Sequence, residues 1–563
     1  MSHQKYQPFP QVPLSDRRWP NNTLTQAPVW CSVDLRDGNQ ALVDPMSLRE
    51  KLSFFRMLCE IGFKEIEIGF PSASEVEFEV CRELIEGGHI PDGVTIQVLV
   101  QAREHLIRRT FEAIAGAKSA IVHFYNATSA LQRRTVFKTD MAGIIDIAVA
   151  GAKLVRELGE KVEGTALRYE YSPESFSGTE PDNALAVCEA VMAALDATPE
   201  RPVILNLPNT VELCTPNTHA DQIEYFIRNL RGREAAIISL HPHNDRGTGV
   251  AAAELGLLAG AQRVEGTLFG NGERTGNLDL VTLALNLYSQ GVDPGLNFSD
   301  LPRLRAKYER YTKMHVHERQ PYAGELVFTA FSGSHQDAIN KGMAYMRETG
   351  ARFWQVPYLP IDPADIGRAY EPIVRINSQS GKGGCAFVMA TVYGYNLPKA
   401  MHPEFGALVQ AACEQAGREL AAADLMAIFN AAYLDIPQPV KLVSHRITER
   451  NGAARFRGTL SINGEEKAVA ADGNGPLDAF FKSLESAGIT GYTFRSYHEH
   501  ALPAEAHDGD AHDGSAARAV AYIELGKPDG KSIFGVGIAP NINMASMLGV
   551  ICAMNRAMNA GNS

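Results

Sequence analysis

Between residues 28 and 290 a short β-rich run is followed by an amphipathic helical run, again and again, with a period near thirty residues. The strand-like runs are VWCSVDLRD, EIEIGF, TIQVLV, AIVHFYNA, ALRYEYSPE, PVILNLPNT, AIISLHPHND and RVEGTLFGNG. Helical runs such as SLREKLSFFRMLCEIG and GVAAAELGLLAGA separate them. About eight β–α units in roughly 260 residues match the count and size of a (β/α)8 barrel. The main competitor, a doubly wound open sheet, accounts less well for the count of eight. The expected fold class is therefore α/β, with a TIM barrel over residues 28–324.

A chain of 563 residues exceeds one ordinary core, and the pattern changes on both sides of the barrel. Residues 1–27 are polar and Pro-rich, without the apolar stretch of a signal peptide, and read as an arm lying on the surface or on a partner subunit. Residues 325–434 carry short helices around VPYLPIDPADIGRAYEP and read as linker subdomains. Residues 435–563 are β-rich and hold a loose internal repeat of strand, hairpin, strand and helix, which predicts a small α+β domain of two ββα units. The acidic loop at 504–515 receives no function. A formal net charge of −12 argues against nucleic-acid or anionic-membrane partners, and no apolar run has the length of a membrane span. The eight cysteines are scattered, which fits reduced thiols in a cytoplasmic protein.

Asp37, His123, Glu174, Thr210, His241 and His243 are placed at the C-terminal ends of barrel strands, where barrel active sites are built. In SLHPHNDRGTG, residues i and i+2 of a strand point to one face, so both imidazoles can converge on one ion. Asp37 of DLRDGNQ is a further ligand candidate, and GNGERTGN offers Asn271 or Asn277. Two histidines, an aspartate and an asparagine suit Zn, Mn, Co or Mg. The His315/His317 and His498/His500 pairs lie at no barrel-strand end and are read as non-ligands. Arg36 can stabilise an oxyanion, Glu174 and His123 can exchange protons, and Thr210 can donate to a carboxylate. Such a set fits carbon–carbon chemistry on a 2-oxo acid.

DLRDGNQAL, HPHNDRGTG and GNGERTGN resemble metal-dependent condensing and aldolase-type barrels that share an Asp-Arg-Glu constellation. With YSPESFSGTE, FSGSHQDAINKG, VPYLPIDP, RINSQSGKGG and GVGIAP, the chain resembles the long form of the 2-isopropylmalate synthases. The resemblance implies condensation of acetyl-CoA with 2-oxoisovalerate, thioester hydrolysis, and release of 2-isopropylmalate and CoA in leucine biosynthesis. It implies that Asp37, His241, His243 and Asn277 bind a divalent metal, Mg²⁺ first with Zn²⁺ or Mn²⁺ as alternatives, and that K⁺ is an activator. It gives Arg36 the alkoxide, Glu174 and His335 the methyl proton, His123, Ser172 and Thr210 the 2-oxo acid, and Tyr358 a catalytic place. His335 and Tyr358 would come from the partner subunit of a homodimer. Leucine, the implied inhibitor, would sit on a glycine-rich turn at Gly535, Gly537, Ile538, Ala539 and Pro540. QSGKGG lacks phosphate-loop spacing and is not read as nucleotide-binding. The rival readings are homocitrate synthase, citramalate synthase and, more distantly, an HMG-CoA lyase-like aldol cleavage, a metal hydrolase or a catalytically inert leucine sensor.

Overall fold

The computed structural model describes residues 5, 7, 9–329, 333–370, 382–416, 420, 422–434, 436–450, 452–502 and 518–560. The 504–515 loop and the first three residues of QSGKGG, 379–381, lie outside the described residues. Two compact units divide the chain, one of residues 1–328 and 361–369, the other of residues 329–360 and 370–563.

The first unit is built on a closed barrel of eight parallel strands in sequence order. The strands are β1 (Val29–Ser32), β2 (Glu65–Gly69), β3 (Thr95–Gln101), β4 (Ser119–Ala127), β5 (Ala166–Glu174), β6 (Val203–Asn209), β7 (Ala236–Pro242) and β8 (Arg263–Gly266). β1 pairs with β2 on one side and with β8 on the other, which closes the ring. Helices α1 (Leu48–Ile61), α2 (Glu75–Glu86), α3 (Glu104–Ile114), α4 (Met141–Gly159), α5 (Pro181–Ala194), α6 (Pro216–Asn229), α7 (Gly249–Leu258) and α8 (Leu280–Ser289) follow the strands in turn. Local chemistry sets their ends. Ser47 and Glu50 form a reciprocal capping box on α1, and the Asp279 side chain caps α8 by accepting from Val281 N and Thr282 N.

The N-terminal arm lies on the barrel of its own chain. Arg17 donates from Nε and Nη2 to the two carboxylate oxygens of Asp221 on α6, each at 2.7 Å, and Trp19 donates to Asp221 and Glu224. The second segment of this unit, residues 361–369, is tied in by Asp365, which accepts from Tyr288 Oη at 3.0 Å, and by Arg368, which donates to Tyr322 O. Among the described residues no helix is long and apolar enough to cross a membrane.

The second unit ends in two three-stranded antiparallel sheets, β11-β10-β9 and β12-β13-β14. The first contains β9 (Val440–Arg450), β10 (Ala453–Ile462) and β11 (Glu465–Gly473), followed by a helix over Pro476–Ser486. The second contains β12 (Thr493–Ala501), β13 (Ala519–Gly526) and β14 (Ser532–Ala539), followed by a helix over Ile542–Ala560. The repeat is therefore βββα, where the sequence had suggested ββα. The extra strands, β9 and β12, are edges exposed along most of their length, so no apolar alternation announces them. The Asn463-Gly464 hairpin expected from sequence is present, with positive φ of 52° and 91° at its two central residues.

Candidate active site

Most of the barrel's chemistry follows one parity rule. On each strand the residues that enter the barrel are two apart. Gln97 and Leu99 on β3, His123 and Tyr125 on β4, Glu170, Ser172 and Glu174 on β5, Asn206 and Pro208 on β6, and Ser239 and His241 on β7 obey it. Their upper members, with Arg36, Asp37, Phe70, Thr210, His243 and Arg274, line a cavity of about 270 Å³ at the C-terminal mouth. The expectation that every site residue sits at a strand end needs one correction: His123 is the middle residue of β4 and belongs to the cavity floor. Arg36 and Asp37 lie beyond β1 on a wide helical turn, in which Asp37 N and Gly38 N both donate to Val33 O at 2.9 and 3.1 Å.

At one corner of the mouth Asp37, His241 and His243 bring three ligand atoms within 4.8 Å of one another, all buried. His241 Nε2 lies 3.1 Å and His243 Nε2 3.7 Å from Asp37 Oδ2. The imidazole rings stack at 5.5 Å, as the i and i+2 spacing requires. Asn277 joins this corner. Its Nδ2 donates to Asp37 Oδ2 at 2.7 Å, while its buried Oδ1 has no hydrogen-bond partner among the described residues. Asn271 does not join it and instead donates to Gly38 O at 3.0 Å. The loop that delivers Asn277 requires glycine at 276, where φ is +99° and a Cβ would stand 1.9 Å from Gly270 O.

Charge organises the corner. Burial alone would raise the Asp37 carboxyl, but Arg36, His241 and His243 outweigh it and hold it well below the usual range. Burial lowers His241, yet its bonds to Asp37 and Glu265 lift it to about 9. Burial and the charge of His241 bring His243 down to about 4. The Glu174 carboxyl at the cavity wall is raised by burial.

Beneath the corner lies a layer of side chains that sequence reasoning missed. Glu67 on β2 accepts from Arg36 Nε at 2.5 Å, His123 Nδ1 at 2.7 Å and Gln97 Nε2 at 2.8 Å. Glu265 on β8 accepts from His241 Nδ1 at 2.7 Å, which fixes the ring with Nε2 toward Asp37. Arg263, fully inside the barrel, donates to Glu65, Ser239, Gln97 and Glu265. Glu67, His123 and Glu265 also form a compact cluster of potential ligands. The Gln97 amide nitrogen, 2.8 Å from both carboxylates and 3.3 Å from His123 Nδ1, already fills its centre. The signal was present in EIEIGF: charged residues alternate with isoleucines in a strand buried at every position.

Ser172 Oγ is 2.7 Å from His123 Nε2 and accepts from Asn206 Nδ2 at 3.0 Å. Thr210 Oγ1 accepts from Ser175 N. His335 and Tyr358 belong to the second unit, where their exposed rings stack at 4.1 Å, with Tyr358 held at a φ of 65°. His315 and His317 are exposed near Glu309 and Glu318, and His500 meets Tyr522 Oη across the β12–β13 pair. Gly535 and Gly537 lie within β14, so they are not part of a turn. A Cβ on either would meet the backbone of the following helix at 2.2 or 2.0 Å, which explains both glycines by close packing. Ile538 and Ala539 end the strand, and Pro540 opens the short connection to the helix.

Three family models match successive stretches of the chain. A family described as HMGL-like matches residues 27–307, alpha-isopropylmalate synthase post-catalytic domain-like matches 325–390, and LeuA allosteric (dimerisation) domain matches 419–558. A 2-isopropylmalate synthase of Rhodospirillum rubrum is 53% identical over 556 residues, covering 98% of each chain. That of Clostridium acetobutylicum is 52% identical over 565 residues, covering 99% of this chain and all (100%) of the relative. Among solved structures, hydroxymethylglutaryl-CoA lyase from Pseudomonas aeruginosa aligns with 53% of this chain and 97% of its own at 19% identity and a TM-score of 0.43.

Proposed function

The chain belongs to the 2-isopropylmalate synthase family, and from that premise we propose how its barrel mouth joins acetyl-CoA to 2-oxoisovalerate. The observation that carries the reading is the convergence of Asp37, His241, His243, Arg36 and Glu174 on one cavity, with Asn277 hydrogen-bonded to Asp37. A divalent ion fits this corner: the donors are one carboxylate, two imidazoles and an amide whose buried oxygen has no other partner among the described residues. Asp37, His241, His243 and Asn277 would hold it, Mg²⁺ in the cell with Mn²⁺ or Zn²⁺ as substitutes. Bound there, it supplies Lewis-acid polarisation of the 2-oxo acid's carbonyl and carboxylate.

The chain's own groups do the rest. Ser172, His123 and Thr210 orient the 2-oxo acid, and Phe70, Leu99 and Pro208 give its branched side chain an apolar wall. Glu174, with His335, takes a proton from the acetyl methyl group. The resulting carbanion equivalent bonds to the keto carbon. The keto oxygen becomes an alkoxide, which Arg36 stabilises and which then takes up a proton. Water cleaves the thioester, leaving 2-isopropylmalate and CoA. The raised Glu174 carboxyl suits a base that works near neutral pH.

The exposed His335–Tyr358 pair, preformed by stacking, supports its delivery to the barrel of the partner subunit in a homodimer. The match to an allosteric dimerisation domain supports leucine as feedback inhibitor, bound in the second unit around β14 and the helix that follows it. K⁺ as activator rests on family resemblance. Eight free cysteines support a reducing, cytoplasmic setting.

The test is CoA release from acetyl-CoA with a panel of 2-oxo acids and Mg²⁺ or Mn²⁺. Release with 2-oxoisovalerate well above that with 2-oxoglutarate or pyruvate is expected. Preference for either of the others would change the substrate, and no release with any would refute the condensation.

A further inference from the structure

One buried acid in the barrel has no place in the chemistry above. Glu170 enters the barrel from β5, two residues before Ser172 and four before Glu174, and is fully buried. Neither carboxyl oxygen has a hydrogen-bond partner among the described residues. In the same layer Glu65, Glu67 and Glu265 all accept hydrogen bonds. The cation nearest to Glu170, Arg263, approaches at 3.3 Å but donates to Glu65, Ser239, Gln97 and Glu265. An apolar side chain of the same shape would pack there without desolvating a carboxyl, so stability alone does not explain the residue. Two other groups face it: the Glu265 carboxylate, which can accept from a protonated Glu170 carboxyl, and His123, whose Nε2 lies 3.4 Å from Glu170 Oε1 and 2.7 Å from Ser172 Oγ.

We propose that Glu170 is a positioning residue for the 2-oxo acid: it supports the His123 ring from inside the barrel and, through Nε2, fixes the Ser172 hydroxyl on the cavity floor. This inference rests on the reading that His123 and Ser172 hold that substrate. The surroundings suit the role. Glu67 takes His123 Nδ1, so the free direction of the ring is Nε2, toward Ser172 and Glu170. Burial raises the Glu170 carboxyl well above the ordinary range; Arg263 opposes this, while Glu265 and Glu67 reinforce it. A carboxyl kept protonated offers an O–H to this layer without adding a charge beside Glu67 and Glu265.

The test uses the full-length, metal-replete protein, with KM measured separately for 2-oxoisovalerate and acetyl-CoA. Glu170→Gln, neutral and of the same shape, is expected to stay within about twofold of the unmutated protein for both substrates. Glu170→Leu is expected to raise KM for 2-oxoisovalerate roughly tenfold and to leave KM for acetyl-CoA within about twofold. Glu170→Asp, which withdraws the carboxyl by one methylene and tolerates folding better, should show the same split at smaller size. A role confined to packing would lower the melting temperature without splitting the two KM values. An unchanged KM for 2-oxoisovalerate in Glu170→Leu or, should that variant not fold, in Glu170→Asp would overturn the proposal. So would a Glu170→Gln protein with the KM split expected of Glu170→Leu. If the unmutated protein releases no CoA with 2-oxoisovalerate, the functional reading fails; if it does and the split is missing, this inference alone fails.

Discussion

Replacing Glu67 by glutamine puts the buried layer to a quantitative test. Three donors converge on this carboxylate: Arg36 Nε on Oε1, and His123 Nδ1 and Gln97 Nε2 on Oε2. Glutamine has one acceptor and one donor end. With its oxygen toward Arg36, its NH₂ faces two other N–H groups; turned around, the NH₂ opposes the guanidinium. No orientation satisfies all three, and Arg36 keeps only Asp37, at 2.6 Å, as a charged partner. Breaking a buried ion pair by removing one side costs about 3–5 kcal/mol. A misdirected oxyanion donor costs about 10²–10³-fold in kcat. Glu67→Gln should therefore lose about 3–5 kcal/mol in urea unfolding and roughly a hundredfold or more in kcat. Trp19 and Trp30 lie in the barrel unit and Trp354 in the second, so in a Trp354→Phe background tryptophan fluorescence follows the barrel's unfolding. The pH dependence has a fixed sign. Burial would raise the Glu67 carboxyl, but Arg36 and His123 hold it below its ordinary value. Its contribution is thus present above the unfolded carboxyl pKa of about 4.3 and is lost as pH falls through the lower folded value. A variant with unchanged urea midpoint and kcat within about threefold of wild type would refute the reasoning.

Further expectations follow from other parts of the molecule. Gly537→Ala sets a Cβ 2.0 Å from Ala545 O and should destabilise the second unit by about 1–3 kcal/mol, read by its melting transition. Because burial raises Glu174, the acid limb of the kcat profile should lie above the ordinary carboxylate range, with activity falling as pH drops through it; Glu174→Gln should abolish that limb along with most turnover. Deleting the residues after 435 should remove leucine inhibition, and inhibition that survives the deletion would place the effector elsewhere.

The barrel was legible because eight strand–helix alternations leave a periodic trace that solvent-facing helices and buried strands cannot avoid. His241 and His243 were legible because strand parity alone puts them on one face. The choice between Asn271 and Asn277 was not open to spacing, since it depends on a loop folded through positive φ at Phe269, Gly270, Arg274 and Gly276. Glu67, Glu170, Arg263 and Glu265 were passed over because each, read singly, looks like an ordinary charged residue in a strand. Only closure of the barrel turns them toward one another. His335 and Tyr358 carried no signal of their own and were named through family resemblance.

The chemistry depends most on one corner of the barrel mouth, and the direct measurement is a titration of Mn²⁺ into metal-stripped protein with both substrates present. Bound Mn²⁺ is followed by electron paramagnetic resonance while CoA release is followed in the same sample. The expected result is one ion per chain, a rate that rises with occupancy, and loss of both in Asp37→Ala and His243→Ala. Full turnover without metal, or Mn²⁺ binding undiminished in those variants, would contradict it.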